Sequence, residues 1–266
     1  VSVCIAPLFV PGDRPDRFLK AARSGADAVI IDLEDAVAPE NKAAAREALK
    51  DAPFSEAPLF LRINGCRSDD YEFDVKAAQG LPWAGILLPK AEGAADLVAL
   101  RRHVDAPIVA MVESAVGLAN ARSMAATEGV VRLAFGSMDF AADIGAALDT
   151  QALLAARSEL VLASRLGGCH GPLDGVTADL ENPGLVEAEA RHALTLGFGG
   201  KMAIHPRQVA AILAGFAPGD EDVAWARRIL AAGGQGAERI GDAFADAPVR
   251  RRAEMILSRA IRKGEQ

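Results

Sequence analysis

Cysteine, histidine and long apolar runs are scarce in this 266-residue sequence. Its three cysteines, Cys4, Cys66 and Cys169, are widely spaced and include no Cys-x-x-Cys pair. That spacing excludes a disulfide framework and a thiolate metal site, and it points to a reducing, cytoplasmic compartment. The four histidines show no His-x-x-x-His spacing, so there is no zinc motif. No stretch approaches the ~18 consecutive apolar residues of a membrane span. A formal net charge of −7 leaves no electrostatic footprint for nucleic acid. The basic run Arg250-Arg251-Arg252 falls inside an amphipathic pattern and reads as a solvated helix face. The opening VSVCIAPLFVPG carries two prolines and no basic leader, so a strand is expected there and not a signal peptide. Phosphate-binding glycine loops are missing as well. Gly234-Gln235-Gly236 follows a helix and lacks the third glycine of the dinucleotide fingerprint.

The sequence does contain core material and a rhythm. Hydrophobic residues make up 51% and charged residues 24%, an ordinary globular balance. Apolar runs expected to form strands fall at 3–10, 28–31, 59–63, 85–88, 108–112, 132–135, 175–177 and 201–204. Helical patterns alternate with them, among them 14–24 behind a capping Asp13, and 150–166. Eight strand-then-helix units predict an α/β fold, a (β/α)8 TIM barrel over residues 1–217. The remainder, 218–266, is expected to be a C-terminal helical extension: a helix at 221–232, a glycine-rich joint at 233–236 and a helix at 249–261, with no strand for the barrel.

Ionisable residues gather at the predicted strand ends: Asp32, Glu34, Asp35, Arg62, Lys90, Glu113, Asp139, Asp179 and His205. In a barrel of this kind that rim carries the chemistry. Glu113 and Asp139 are 26 residues apart, about one strand–helix–strand unit, so they face one another from neighbouring strands. Such a pair suits Mg²⁺, with water and substrate oxygens completing an octahedron, although each taken singly reads more readily as a solvated loop acid. Arg62 suits a two-point grip on a substrate carboxylate, or an ion pair with the 32–35 cluster. Gly136-Ser137 could bring backbone N–H groups to a ligand, or simply make a turn.

The segments LFVPGDRPDRFLKA, GADAVIIDLEDAV, LRING, GILLPKAE, VAMVESAVGLANA, FGSMDFAADIG and GFGGKMAIHPRQV resemble citrate lyase β-subunit-like proteins. These belong with malyl-CoA and citramalyl-CoA lyases in the HpcH/HpaI aldolase superfamily. The likeness runs from about Leu8 to Pro206 and continues weakly through AFADAPVRRRAEMIL. It implies a Mg²⁺-dependent oxo-acid lyase that makes or breaks a carbon–carbon bond beside an acyl thioester, with a coenzyme A thioester as substrate and an α-keto acid as product.

Residue by residue, the resemblance implies metal ligands at Glu113 and Asp139 and a substrate-binding, catalytic arginine at Arg62. Asp246 would be an acid placed over a neighbouring subunit's site, in a homo-oligomer of three or more chains. Arg14 falls in a region that contacts coenzyme A. Asn64-Gly65 stands where relatives often have Asn-Pro, and Ser137-Met138 where Ala-Glu is frequent, so substrate identity stays open. Two other functions remain: an aldolase for free hydroxy acids without coenzyme A, and a non-catalytic binding barrel.

Overall fold

Eight short parallel strands in sequential order form one sheet in the computed structural model, which describes residues 4–232, 238–240 and 243–264. They are β1 (Pro7–Pro11), β2 (Ala28–Asp32), β3 (Leu59–Arg62), β4 (Gly85–Leu88), β5 (Ile108–Val112), β6 (Val130–Phe135), β7 (His170–Asp174) and β8 (Gly200–Lys201). The sheet closes on itself through a bridge between Leu8 and Ala203. There the Phe9 N–H donates to the Ala203 carbonyl at 2.8 Å and the Ala203 N–H to the Pro7 carbonyl at 2.9 Å. This is the expected (β/α)8 barrel.

Strands β2, β4 and β5 are buried along their whole length, as continuous apolar runs covered on both faces should be. The barrel interior is filled by Ile30, Phe60, Leu87, Val109, Met111 and Leu173. Around it run α1 (Phe18–Ala22), α2 (Lys42–Ala48), α3 (Tyr71–Ala78), α4 (Ala94–Arg101), α5 (Ala115–Ala119), α6 (Ala121–Ala125), α7 (Ser137–Ile144), α8 (Leu154–Leu166), α9 (Pro183–Leu196) and α10 (Pro206–Phe216).

Four local expectations need correction. The seventh strand lies at His170–Asp174, ahead of the expected 175–177. Gly171 and Pro172 dilute its apolar signal, yet Leu173 and Asp174 pair with Gly200 and Lys201. Asp13 does not cap the first helix. Its carboxylate accepts the Asn41 side-chain amide at 3.0 Å, and Pro15 instead opens a 3-10 turn before α1. The helix between β5 and β6 is two short helices, the first capped by Ser114, whose hydroxyl accepts the Gly117 N–H. Residues 137–144, assigned no element of their own after the strand expected at 132–135, form the helix α7.

The chain divides into two compact units, 1–215 and 216–266. The second holds α11 (Asp220–Ala231) and α12 (Ala247–Gly264), which share a small core of Ala226, Ile229, Ala245, Ala253 and Ile256. It also contains a hairpin, β9 (Glu238–Ile240) with β10 (Ala243–Ala245), which the sequence did not suggest. The expected glycine joint at 233–236 lies outside the described residues. Among the described residues no helix is long and apolar enough to cross a membrane.

Candidate active site at the carboxyl rim of the barrel

Glu113 follows β5 directly and is buried at the rim. Its Oε2 accepts the backbone N–H of Lys90 at 2.9 Å, which ties it to the end of β4. On its other side lies Gly136, whose N–H donates to the Val112 carbonyl at 3.0 Å. A Cβ at residue 136 would overlap the Glu113 side chain, so only glycine lets the two strand ends approach this closely. Burial comes first among the causes that push the Glu113 carboxyl up to about 8. The negative charges of Glu34 and Asp139 add to it, and Arg62 opposes it.

Asp139 is not a strand-end residue. The chain turns into α7 at Ser137, so the carboxylate rides on that helix's first turn, still on the same rim. It is exposed, and no hydrogen bond or ion pair among the described residues engages it. Glu113 and Asp139 together line two cavities, one of about 880 Å³ and one of about 230 Å³. The smaller is also lined by Arg62, Gly136 and Ser137. Five residues singled out from sequence thus meet around one space.

Arg62 makes the ion pair that the sequence left as one of two possibilities. Its Nε and Nη2 donate to the two Asp32 oxygens at 2.7 and 2.6 Å, and its guanidinium lies 4.8 Å from the centre of the Phe9 ring. Burial disfavours its charge, but the Asp32 hydrogen bonds and the nearby carboxylates outweigh this and raise its pKa above the ordinary value. Its Nη1 lies 3.1 Å from Glu34 Oε2, out of hydrogen-bonding alignment, and that buried oxygen accepts no hydrogen bond. The other Glu34 oxygen receives the Lys90 ammonium, which also lies 3.5 Å from Asp35.

Beneath this layer Lys42 is buried and donates to the carbonyls of Leu33 and Glu34 and to Asn64 Oδ1, at 2.7, 3.0 and 2.9 Å. Asn64 in turn donates to Asp74 at 2.6 Å, and Asp74 is held by Arg46 at 2.9 Å. Sequence reasoning gave no role to Lys42 or Asp74. A lone lysine and aspartate on amphipathic helices look like solvated face, and only the fold turns them inward.

The residue profile of the HpcH/HpaI aldolase/citrate lyase family matches residues 6–206. The chain belongs to this family. It is 37% identical over 262 residues to a citrate lyase subunit beta-like protein of Mycobacterium tuberculosis, spanning 95% of this chain and 94% of that protein. An L-malyl-CoA/beta-methylmalyl-CoA lyase of Cereibacter sphaeroides is 35% identical over 299 residues, spanning 95% and 93% of the two chains. The crystal structure of CitE from M. tuberculosis in complex with magnesium, acetoacetate and coenzyme A superposes with a TM-score of 0.88 at 36% identity. That match covers 97% of this chain and 98% of the other.

The rim of this HpcH/HpaI family member fits a hard divalent cation on its own observations. Glu113 is buried with its carboxyl pKa raised and lies near the unpartnered Asp139, a second buried acid has an oxygen without a hydrogen-bond donor, and the missing Cβ of Gly136 lets the Glu113 carboxyl sit against it. Among the described residues no three His, Cys, Asp or Glu side chains gather to hold a metal. Of the rim carboxylates, Asp32, Glu34 and Asp35 pair with Arg62 or Lys90, which leaves Glu113 and Asp139 as the candidates for the cation, a number compatible with Mg²⁺, which keeps several waters.

Other sequence candidates stand apart. Asp179 and His205 organise their own turns: Asp179 accepts the N–H groups of Glu181 and Asn182, and His205 accepts that of Arg207. Arg14 is half-buried just beyond β1 and pairs with Asp16 through two bonds of 3.0 Å. Asp246 belongs to the second unit, where its Oδ1 accepts the Val249 N–H at 3.0 Å and caps α12.

Proposed function

We propose that this HpcH/HpaI family member is a Mg²⁺-dependent carbon–carbon lyase. Its substrate is a 3-hydroxyacyl thioester of the malyl, citramalyl or citryl type, and its products are an α-keto acid and an acyl-CoA. The observation that carries this proposal is the meeting of Glu113, Asp139 and Arg62 around one cavity at the carboxyl rim. The relatives support it. CitE of M. tuberculosis was crystallised with magnesium, acetoacetate and coenzyme A, and the C. sphaeroides relative is a malyl-CoA lyase.

Glu113 and Asp139 would hold the cation, with water and substrate oxygens supplying the rest of its ligands. Bound there, Mg²⁺ contributes Lewis-acid polarisation of the substrate hydroxyl and its adjacent carboxylate. Asp32 fixes the Arg62 guanidinium by two hydrogen bonds, and the remaining N–H groups of Arg62 face charge developing on the keto acid. In cleavage the hydroxyl gives its proton to solvent, its oxygen's electron pair forms the carbonyl as the carbon–carbon bond breaks, and the electron pair of that bond passes to the thioester as its enolate. The Asp246 carboxyl of a neighbouring protomer delivers a proton to the enolate carbon, and removes it in the condensing direction. Gly136 and Ser137 line the substrate side of the pocket, and Arg14 contacts coenzyme A.

The test is a lyase assay on malyl-, citramalyl- and citryl-CoA with Mg²⁺, following keto acid and free thiol separately. Keto acid release that stops with EDTA is expected. Free thiol without keto acid would instead indicate thioester hydrolysis, an activity named for the (3S)-malyl-CoA thioesterase of C. sphaeroides, 34% identical over 245 residues. Cleavage of free hydroxy acids without coenzyme A would indicate an aldolase.

A further inference from the structure

Lys90 has a left-handed backbone, with φ at +51°, and no other non-glycine residue among those described has a positive φ. A bulky side chain in that region is strained, and such strain persists only where the surroundings hold it. Here they do so from both sides of the residue. The Lys90 N–H points at Glu113 Oε2 at 2.9 Å, and the next N–H, that of Ala91, donates to the Met111 carbonyl at 3.2 Å. Two successive amides thus turn toward β5. The half-exposed Lys90 side chain runs the other way and ends on Glu34 and Asp35, at the end of β2. The residue therefore ties β2 to β5 across the mouth of the larger cavity, which it lines.

We infer that Lys90 is the positioning residue of the cation site: its left-handed peptide holds Glu113 Oε2, so that Oε1, beside Gly136, is left for the metal, and its ammonium anchors that peptide through Glu34. The inference rests on the cation site proposed above and assigns a part of it that neither Glu113 nor Asp139 supplies. It also gives the strained conformation a function, since a relaxed peptide would direct the N–H away from Glu113 and free the carboxylate to rotate. Groups that orient a metal ligand typically change metal affinity by about 10–100-fold when removed.

Direct binding separates backbone from charge. Mn²⁺, an oxygen-seeking octahedral probe, is titrated into the full-length protein and counted by electron paramagnetic resonance, with thermal melting as the check on folding. Lys90→Gly and Lys90→Ala lose the same ammonium, but only glycine adopts the left-handed region without strain. Lys90→Gly should bind Mn²⁺ at least as tightly as wild type, because the amide stays in place and one repelling cation has gone. Lys90→Ala should bind about tenfold more weakly than Lys90→Gly, and Lys90→Arg should stay within about threefold of wild type. Lys90→Gln makes the same comparison should the alanine variant not fold. Equal affinities in the glycine and alanine variants, or a glycine variant as weak as alanine, overturn the positioning role while leaving the site. Wild-type protein that binds no Mn²⁺ overturns the cation site and the role together.

Discussion

Glu113 controls the metal-free protein through its proton. Burial and two neighbouring carboxylates raise its folded-state pKa to about 8, from an ordinary value of 4.5. A group shifted in that direction contributes stability that is fully present below about 4.5 and is lost as pH rises through about 8. A cation binds the deprotonated form, so it must displace this proton at neutral pH. Mg²⁺ affinity is predicted to climb with pH up to about 8 and then to level off, with binding near pH 7 releasing close to one proton. Calorimetry in buffers of different ionisation enthalpy reads that proton directly. Glu113→Gln should abolish both the binding and its pH dependence, and a pH-independent affinity in wild type would remove Glu113 from the site. The sequence already placed this carboxylate at the rim, because the apolar run of β5 ends on it. What it could not supply was the shift, which depends on Glu34 and on burial. It likewise left Arg62 between two roles; the structure shows the ion pair with Asp32 through Nε and Nη2, and the grip on substrate stays a proposal for its remaining N–H groups.

Among the elements, legibility followed the purity of the local signal. The bounds of β4 and β5 coincide with the expected 85–88 and 108–112, because both are unbroken apolar runs closed by Pro89 and Glu113. β7 was displaced because glycine and proline fill its first half. α7 went unrecognised because only Gly136 separates it from β6, with no loop between them, and its eight residues are ended only by the left-handed Gly145. This helix matters to the proposed cation site, because it carries Asp139 and starts where Gly136 presses on Glu113. Gly136→Ala tests that junction. The added methyl must displace the Glu113 carboxyl and leaves the α7 backbone unperturbed, since Gly136 has an ordinary φ of −83°. The variant should fold and lose Mg²⁺ affinity by about tenfold or more, as expected when a ligand is moved off its geometry. Near-normal affinity, measured by calorimetry, would show that the Glu113 orientation is not set by this contact.

At the scale of the whole molecule, the remaining question is what completes the rim. Met138, Ile144, Leu148 and Leu154 are exposed along α7 and the segment that follows it, beside an otherwise charged site. An apolar row in that position suits covering by another surface. The second unit offers Asp246 at the head of α12, the acid proposed above to act on a neighbouring copy. Within its own chain it is an N-cap, a role worth about 1 kcal/mol, and asparagine caps about as well. Asp246→Asn should therefore keep the melting temperature while abolishing turnover, since the amide cannot transfer a proton. Mixing it with Glu113→Gln then discriminates between arrangements. In a cyclic assembly with sites completed in trans, random exchange of equal amounts leaves about one site in four with both an intact Glu113 and a neighbour's intact Asp246. About a quarter of wild-type activity should return after subunit exchange, because each inactive protomer supplies what the other lacks. With Asp246 acting in cis, every site in the mixture lacks one of the two groups and no activity returns. Proven exchange without recovery would place the acid over its own barrel or remove it from the chemistry.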